Sequence, residues 1–200
     1  MKITVIGAGQ GGLYSAALLA KGGADVTIYE KSAEEALGID WFDGVETKLF
    51  TDLGLDVPED SFKGFPASFI GPFSEKILYL WCESDKADWS VNRKSFSKQL
   101  VALARQNGVN LVFGTGVESL ILEKCAVKGV IINGEEIKSD LVIDSSGVFS
   151  PFRASLPRRT GITAQPDTDD VFNVYRGIYS QVPEFPELPA NEKFKMYLKY

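Results

Sequence analysis

Residues 2–30 constrain the fold more than any other stretch, because they set out strand, glycine turn, helix and strand in unbroken succession. Lys2-Ile3-Thr4-Val5-Ile6 is a short apolar run rich in β-branched residues. Gly7-Ala8-Gly9-Gln10-Gly11-Gly12 follows at once and fits G-x-G-x-x-G. Leu13 to Lys21 suits a helix, Ala24 to Tyr29 a second strand, and Glu30 stands at that strand's end. A dinucleotide-binding βαβ unit requires this order. Gly7 permits the tight turn out of the first strand. Gly9, lacking a Cβ, lets a pyrophosphate approach the backbone, and Gly12 lets the helix pack closely on the strands. Ala8 and Gly11 complete the turn. The helix N-terminus offers free N–H groups and a positive dipole end to the phosphates. Glu30 lies about twenty residues past the turn, where a carboxylate accepts hydrogen bonds from an adenosine ribose and disfavours the 2′-phosphate of NADP. The ordinary alternative is a glycine-rich turn with a solvated Glu30.

Two hundred residues make one large domain or one and a half ordinary ones. With 44% apolar and 24% charged residues the composition is that of a soluble globular protein, and the net charge of −6 argues against a nucleic-acid surface. No apolar run suggests a spanning helix, and the start lacks the n-region and h-region of a secretory signal. The first strand begins at residue 2, which leaves no room for a transit peptide. Cys82 and Cys125 are isolated, as expected of reduced structural thiols in the cytoplasm. The chain contains no histidine, which removes His-dependent triads, a His proton shuttle and most zinc sites; no metal site is expected.

Further along, Lys31 to Asp43 reads as an irregular loop, and Gly44 to Leu53 as a helix with Val45, Leu49 and Leu53 at helical spacing. Residues 61–91 interleave Phe62, Phe65, Phe69, Phe73, Ile77, Tyr79 and Trp81 with glycines and prolines, the pattern of short antiparallel strands and turns. Asn92 is placed to cap a helix from Arg93 to about Asn107, closed by Gly108. Val109 to Phe113 is a buried-type strand. A three-strand meander follows over Val117–Glu123, Ala126–Ile132 and Glu135–Ile137, with Asn133-Gly134 as a type I′ hairpin turn. Leu141-Val142-Ile143 reads as another buried strand, ending in Asp144-Ser145-Ser146-Gly147. Residues 157–170 form a polar connector, and Val171 to Ser180 and Phe194 to Tyr200 read as strands.

Three segments together resemble the flavin-dependent oxidoreductases of the glutathione-reductase-like superfamily, in the subgroup of aromatic hydroxylases, flavin halogenases and geranylgeranyl reductases. The first is the N-terminal unit ending in Tyr29-Glu30-Lys31. The second, Val91-Asn92-Arg93-Lys94-Ser95-Phe96 with Leu100, is similar to the family's V-x-R-x-x-F-x-x-x-L helix start, whose Arg sits near the FAD phosphates. The third, Asp140 to Arg153, looks like the second FAD fingerprint. Ser146 occupies its usual Asp position and Asp144 sits two places earlier, a D-x-S-G form similar to geranylgeranyl reductases and halogenases. The loop Ile39 to Val45 also resembles a reductase segment, with Trp41 near the place where those reductases carry a cysteine.

The resemblance implies an α/β fold. A Rossmann-like FAD-binding domain, with a parallel sheet, a three-stranded β-meander and helices, would span 1–60 and 92–160. Part of a second, antiparallel-sheet substrate-binding domain would span 61–91 and 165–200. FAD contacts are implied at Gly7, Ala8, Gly9, Gly11, Gly12, Glu30, Lys31, Arg93, Val117, Asp144, Ser146 and Gly147. Chemically, Asp144 suits ribityl hydroxyls, Gly147 a close backbone approach and Arg93 a phosphate; the ordinary alternatives are a helix-capping Asp144 and a solvated Arg93. No residue is demanded as a catalyst, and Trp41 and Asp43 are the candidates because their loop is expected near the flavin.

The implied activity is reduction of a C=C bond in a hydrophobic, prenyl-type substrate by hydride from reduced flavin, with NAD(P)H or another electron donor. A prenyl-lipid substrate would bring peripheral membrane contact without a spanning helix. The rivals are a flavin monooxygenase or halogenase, a non-catalytic dinucleotide-binding subunit, and an NAD-binding dehydrogenase, which has no need of the second fingerprint. Members of this superfamily run to roughly twice this length and carry a third flavin segment that nothing here matches. The chain ends within an apparent strand, whose open edge calls for a partner. A fragment with a missing C-terminal half, or one piece of a split protein paired with another chain, is therefore expected; a natural short form is the alternative.

Overall fold

In the computed structural model, which describes residues 1–63, 67–70, 77–80, 88–124, 126–162, 166–170 and 195–197, Ile3 to Ile6 are buried on both faces of the first strand. Burial on both sides is what parallel pairing under covering layers produces. That strand, β1 (Lys2–Ile6), leads through the glycine turn into α1 (Gln10–Lys21) and then β2 (Asp25–Tyr29). The helix begins three residues before the expected Leu13, so Gln10, Gly11 and Gly12 form its first turn.

Residues 31–40 contain a single 3₁₀ turn at Glu34–Ala36. Next come β3 (Phe42–Val45), α2 (Lys48–Leu53), β4 (Phe62–Lys63), β5 (Ala67–Ile70), β6 (Ile77–Leu80) and β7 (Trp89–Asn92). The helix expected from Gly44 is shorter than its spacing suggested. Gly44 and Val45 belong to β3, where Asp43 pairs with Val91 and Val45 with Trp89.

The chain continues through α3 (Arg93–Gln106), β8 (Asn110–Val112), β9 (Ser119–Glu123), β10 (Ala126–Ile132), β11 (Glu135–Lys138), β12 (Leu141–Asp144) and α4 (Pro151–Ser155). Its last described element is β13 (Lys195–Tyr197). Cys82, Cys125 and the strand expected over 171–180 lie outside the described residues.

Two compact units are present, 1–40 with 93–173, and 41–92 with 174–200. In the first, a parallel sheet runs β12-β1-β2-β8. Helix α1 packs on α3 and β2, and Leu13, Ala16, Leu100, Val101 and Ala104 of the two helices are buried. The antiparallel meander β11-β10-β9 packs elsewhere on the sheet: Ile6 clusters with Val130, Ile132 and Phe152. Asn133 and Gly134 have φ of 51° and 77°, the paired positive values of the expected type I′ turn. Strand β12 corrects the expectation of a buried strand. Among the described residues it lies at the sheet's edge, bonded only to β1, and Leu141 is 41% exposed.

The second unit holds two three-stranded sheets among its described residues, β3-β7-β4 and β13-β5-β6. All their pairings are antiparallel except that of β13 with β5. Phe42 and Phe62 meet with ring centroids 5.3 Å apart, and Lys63 Nζ stands 4.5 Å over the Trp89 ring.

Candidate dinucleotide site

The carboxyl ends of β1, β2 and β12 open onto a cavity of about 950 Å³ in the first unit. Open parallel sheets bind ligands at this end of their strands, and the volume lies at the upper end of the range for small-molecule and cofactor sites, about 300–1,000 Å³.

One wall is the turn from Gly7 to Gly11. Gly7 has φ +92°, and its N–H donates to Tyr29 O at 2.8 Å, so the chain leaves β1 while still bonded to β2. A Cβ there would lie 2.6 Å from Ser145 O, and one on Gly12 would run into Gly7 O and approach Ser145 Oγ to 2.9 Å. The protein itself therefore requires glycine at 7 and 12. Gly9 and Gly11 differ. The nearest atoms to a Cβ at Gly9 are 3.8 Å away and at Gly11 3.9 Å, ordinary contact distances, and Gly9 has φ −68°, open to any residue. Packing gives no reason for these two glycines, and both line the cavity. Gly9 is also the N-cap of α1, with no side-chain cap and no acid in the first turn. The first N–H groups of α1 thus have neither a capping side chain nor a competing carboxylate.

Glu30 is 9% exposed at the end of β2. Its Oε2 accepts from the Ala8 N–H and its Oε1 from the Ser32 N–H, both at 2.8 Å. A carboxylate offers about four lone-pair positions, so each oxygen retains one for a ligand hydroxyl. Lys31 continues this wall.

A further wall, adjoining the glycine turn at Ser145, comes from the loop after β12. Ser145, Ser146, Gly147, Val148 and Phe149 line the cavity, and Gly147 has φ +101°. Asp144 stands behind this loop and shapes it. Its Oδ1 accepts from the Ser146 N–H at 3.1 Å and the Ser146 hydroxyl at 2.6 Å, and its Oδ2 from the Ser150 hydroxyl. Ser150 Oγ in turn accepts from the Arg153 N–H at 3.2 Å and caps α4. The cap of α4 is thus Ser150, and Asp144, whose ordinary alternative was to cap this helix itself, bonds to the hydroxyl of the capping residue.

Arg93 and Ser97 of α3 line the cavity, as do Val117 and the segment Ala36 to Ile39. The stretch from Glu34 to Gly38 is held against α3 in two places. Arg105 forms a two-pronged ion pair with Glu34, NH1 to Oε1 at 2.8 Å and NH2 to Oε2. The Glu34 hydrogen bond raises the Arg105 pKa above its ordinary value. Gly38 lies so near α3 that a Cβ would approach Lys94 Cα to 2.8 Å.

Gly7, Ala8, Gly9, Gly11, Glu30, Lys31, Arg93, Val117, Ser146 and Gly147 thus share one cavity, with Gly12 and Asp144 supporting its walls. The lining belongs wholly to the first unit; Trp41 and Asp43 lie in the second, Asp43 on β3. Sequence reasoning missed Ser145 and the 36–39 wall. Val148, Phe149 and Ile39 are 58, 65 and 56% exposed and give the cavity an apolar side. Among the described residues no cluster of His, Cys, Asp or Glu is suited to a metal ion, and no helix is long and apolar enough to cross a membrane.

Residues 5–65 match the family described as NAD(P)-binding Rossmann-like domain. Over 161 residues the chain is 30% identical to the digeranylgeranylglycerophospholipid reductase of Methanospirillum hungatei, a match covering 75% of this chain and 39% of that protein. The chain thus spans about two fifths of the length of the reductase it matches. The geranylgeranyl bacteriochlorophyll reductase-like protein of Thermoplasma acidophilum superposes with a TM-score of 0.68 at 23% identity, over 78% of this chain and 42% of that one. The myxobacterial chondrochloren halogenase, an FAD-dependent halogenase, superposes with a TM-score of 0.59 at 18% identity, over 76% of this chain and 38% of that one. The reductase and the halogenase are enzymes, and the fold described above is the Rossmann-like fold of the two superposed structures.

Proposed function

We propose that the cavity holds FAD and that the whole protein is an FAD-dependent oxidoreductase of the geranylgeranyl-reductase type. The reaction is reduction of a C=C bond in a hydrophobic, prenyl-type substrate, with NAD(P)H or a similar donor re-reducing the flavin. The observation that carries this reading is the pair Gly9 and Gly11, two glycines that packing does not require, facing a cavity beside the uncapped start of α1.

The residues fit the group. The start of α1 suits the pyrophosphate, because its N–H groups and dipole favour an anion. Glu30, with one lone pair left on each oxygen, suits the ribose diol. Arg93 adds a cationic side chain to the lining. The apolar surface of Ile39, Val148 and Phe149 suits a planar ring. Bound there, a flavin supplies hydride transfer; the chain supplies binding, orientation and exclusion of water. The reductase relative supports the C=C chemistry and the prenyl class of substrate. A prenyl-lipid substrate would bring the protein to a membrane surface.

An absorption spectrum of the purified protein, followed by titration of the colourless form with FAD, tests the cofactor. A flavin spectrum with stoichiometric uptake is expected; a chain that takes up none sinks the reading. The reaction is tested with the complete protein and a prenyl lipid, with and without oxygen. Substrate reduction that proceeds anaerobically supports the reductase. An oxygen requirement with a hydroxylated or halogenated product favours the monooxygenase or halogenase alternative.

A further inference from the structure

Besides Glu30, which holds the Ala8 N–H, a second side chain from outside the glycine turn comes close to it: Ser145, just after the edge strand β12. Its N–H donates to Ile6 O at 2.9 Å, which fixes its backbone beside the start of the turn. Its Oγ lies 2.9 Å from where a Cβ of Gly12 would be, 3.9 Å from that of Gly11 and 4.0 Å from that of Gly9. One hydroxyl therefore borders the space over both glycines whose identity packing leaves unexplained. The residue is half-buried and lines the cavity, and its hydroxyl makes no hydrogen bond among the described residues. The neighbouring hydroxyls differ: Ser146 and Ser150 both donate to Asp144.

We infer that the Ser145 hydroxyl donates to a phosphate oxygen of the bound dinucleotide, so that β12 supplies a phosphate ligand in addition to the amides of α1. The inference rests on the dinucleotide reading above and adds a residue to it. A hydroxyl can rotate its proton to suit an acceptor, and a bond to an anionic oxygen is stronger than one to a neutral partner. Two donor sets then meet on one anion, the amides after β1 and the hydroxyl after β12. The main chain at Ser145 carries the first packing duty here, through its contact with Gly7. Removing the hydroxyl therefore leaves that contact in place.

The test measures affinity of the apo-protein for FAD and for ADP by calorimetry, in wild type, Ser145→Ala and Ser145→Cys. ADP carries the adenosine and the phosphates but no flavin. Cysteine keeps a side chain at the position with a weak donor. Thermal unfolding of each free variant checks that it folds as the wild type does, and the second variant serves if the first does not fold.

About tenfold weaker binding of both ligands, the loss expected for a hydrogen bond to a charged group, supports the inference. Unchanged affinity for both in a folded variant overturns it, as does weakening for FAD alone, which would move the hydroxyl to the flavin half. A wild type that binds ADP but not FAD sinks the flavin reading, while the ADP affinities still decide Ser145. A wild type that binds neither overturns both.

Discussion

The N–H of Ala8 donates to Glu30 Oε2 at 2.8 Å, and this bond fastens the glycine turn to the end of the following strand. The same carboxylate accepts from the Ser32 N–H, so Glu30 organises the protein as well as offering oxygens to a ligand. Glu30→Gln keeps one acceptor oxygen and sets an NH₂ group against the other backbone donor. The free protein should lose about 1–3 kcal/mol of stability, the cost of a buried donor left unpaired. Urea unfolding measures it, and an unchanged midpoint would mean that the carboxylate is structurally idle. Nucleotide affinity should fall as well.

Gly9 and Gly12 should respond to alanine in opposite ways. At Gly12 a methyl group meets Gly7 O and Ser145, so Gly12→Ala should destabilise the free chain by about 1–3 kcal/mol, as overpacking does. At Gly9 the methyl has room, and Gly9→Ala should change stability by less than about 0.5 kcal/mol. Its effect falls on the ligand: a larger side chain, as in Gly9→Val, should abolish FAD binding. Unfolding curves and FAD titrations of both variants separate the two roles. Equal destabilisation by both alanines would refute the distinction.

The Arg105–Glu34 pair is exposed, with side chains 54% and 35% accessible, so its contribution is modest despite the two-pronged geometry. Glu34→Gln should cost about 0.5–1 kcal/mol at low salt and less at high salt. The raised Arg105 pKa means that this stabilisation is present below the unfolded-state pKa and is lost only as pH rises through the folded one. That window is strongly alkaline, so Arg105 titration should add no pH dependence to stability between about pH 6 and 9. Thermal unfolding of the wild type and Glu34→Gln across salt and pH checks both points, and a difference insensitive to salt would contradict the first.

Ser150→Ala removes the cap of α4 and a donor to Asp144 together. A loss of about 0.5–2 kcal/mol is expected, the usual range for an N-cap. Because Asp144 also holds Ser146, amide exchange at 145–149 should quicken in this variant. Unaltered exchange there would show that the loop is held by other contacts.

The βαβ start was legible because its signals are local: β-branched residues, glycines at fixed offsets and an acid at the next strand's end. The hairpin at Asn133-Gly134 was legible for the same reason. What failed depended on distant partners. Val45, Leu49 and Leu53 do recur at helical spacing, yet Val45 is a strand residue because Trp89, far along the chain, pairs with it. Leu141 to Ile143 looked buried because an apolar run does not say whether its strand is central or at an edge. In the cavity, Gly9 and Glu30 were found by motif. Ser145 was missed because its significance lies in its distance from glycines more than 130 positions earlier, which no local pattern encodes.

The pairing of β12 with β1 also sets a timetable. The glycine turn is synthesised within the first dozen residues, but the wall adjoining it arrives only with residues 145–149. A nascent chain emerging from the ribosome carries one half of the cavity through most of this unit's synthesis. If the proposed cofactor binds here, its loading would come after β12 docks at the sheet edge, and a chain cleaved before β12 should keep the turn yet fail to retain the nucleotide.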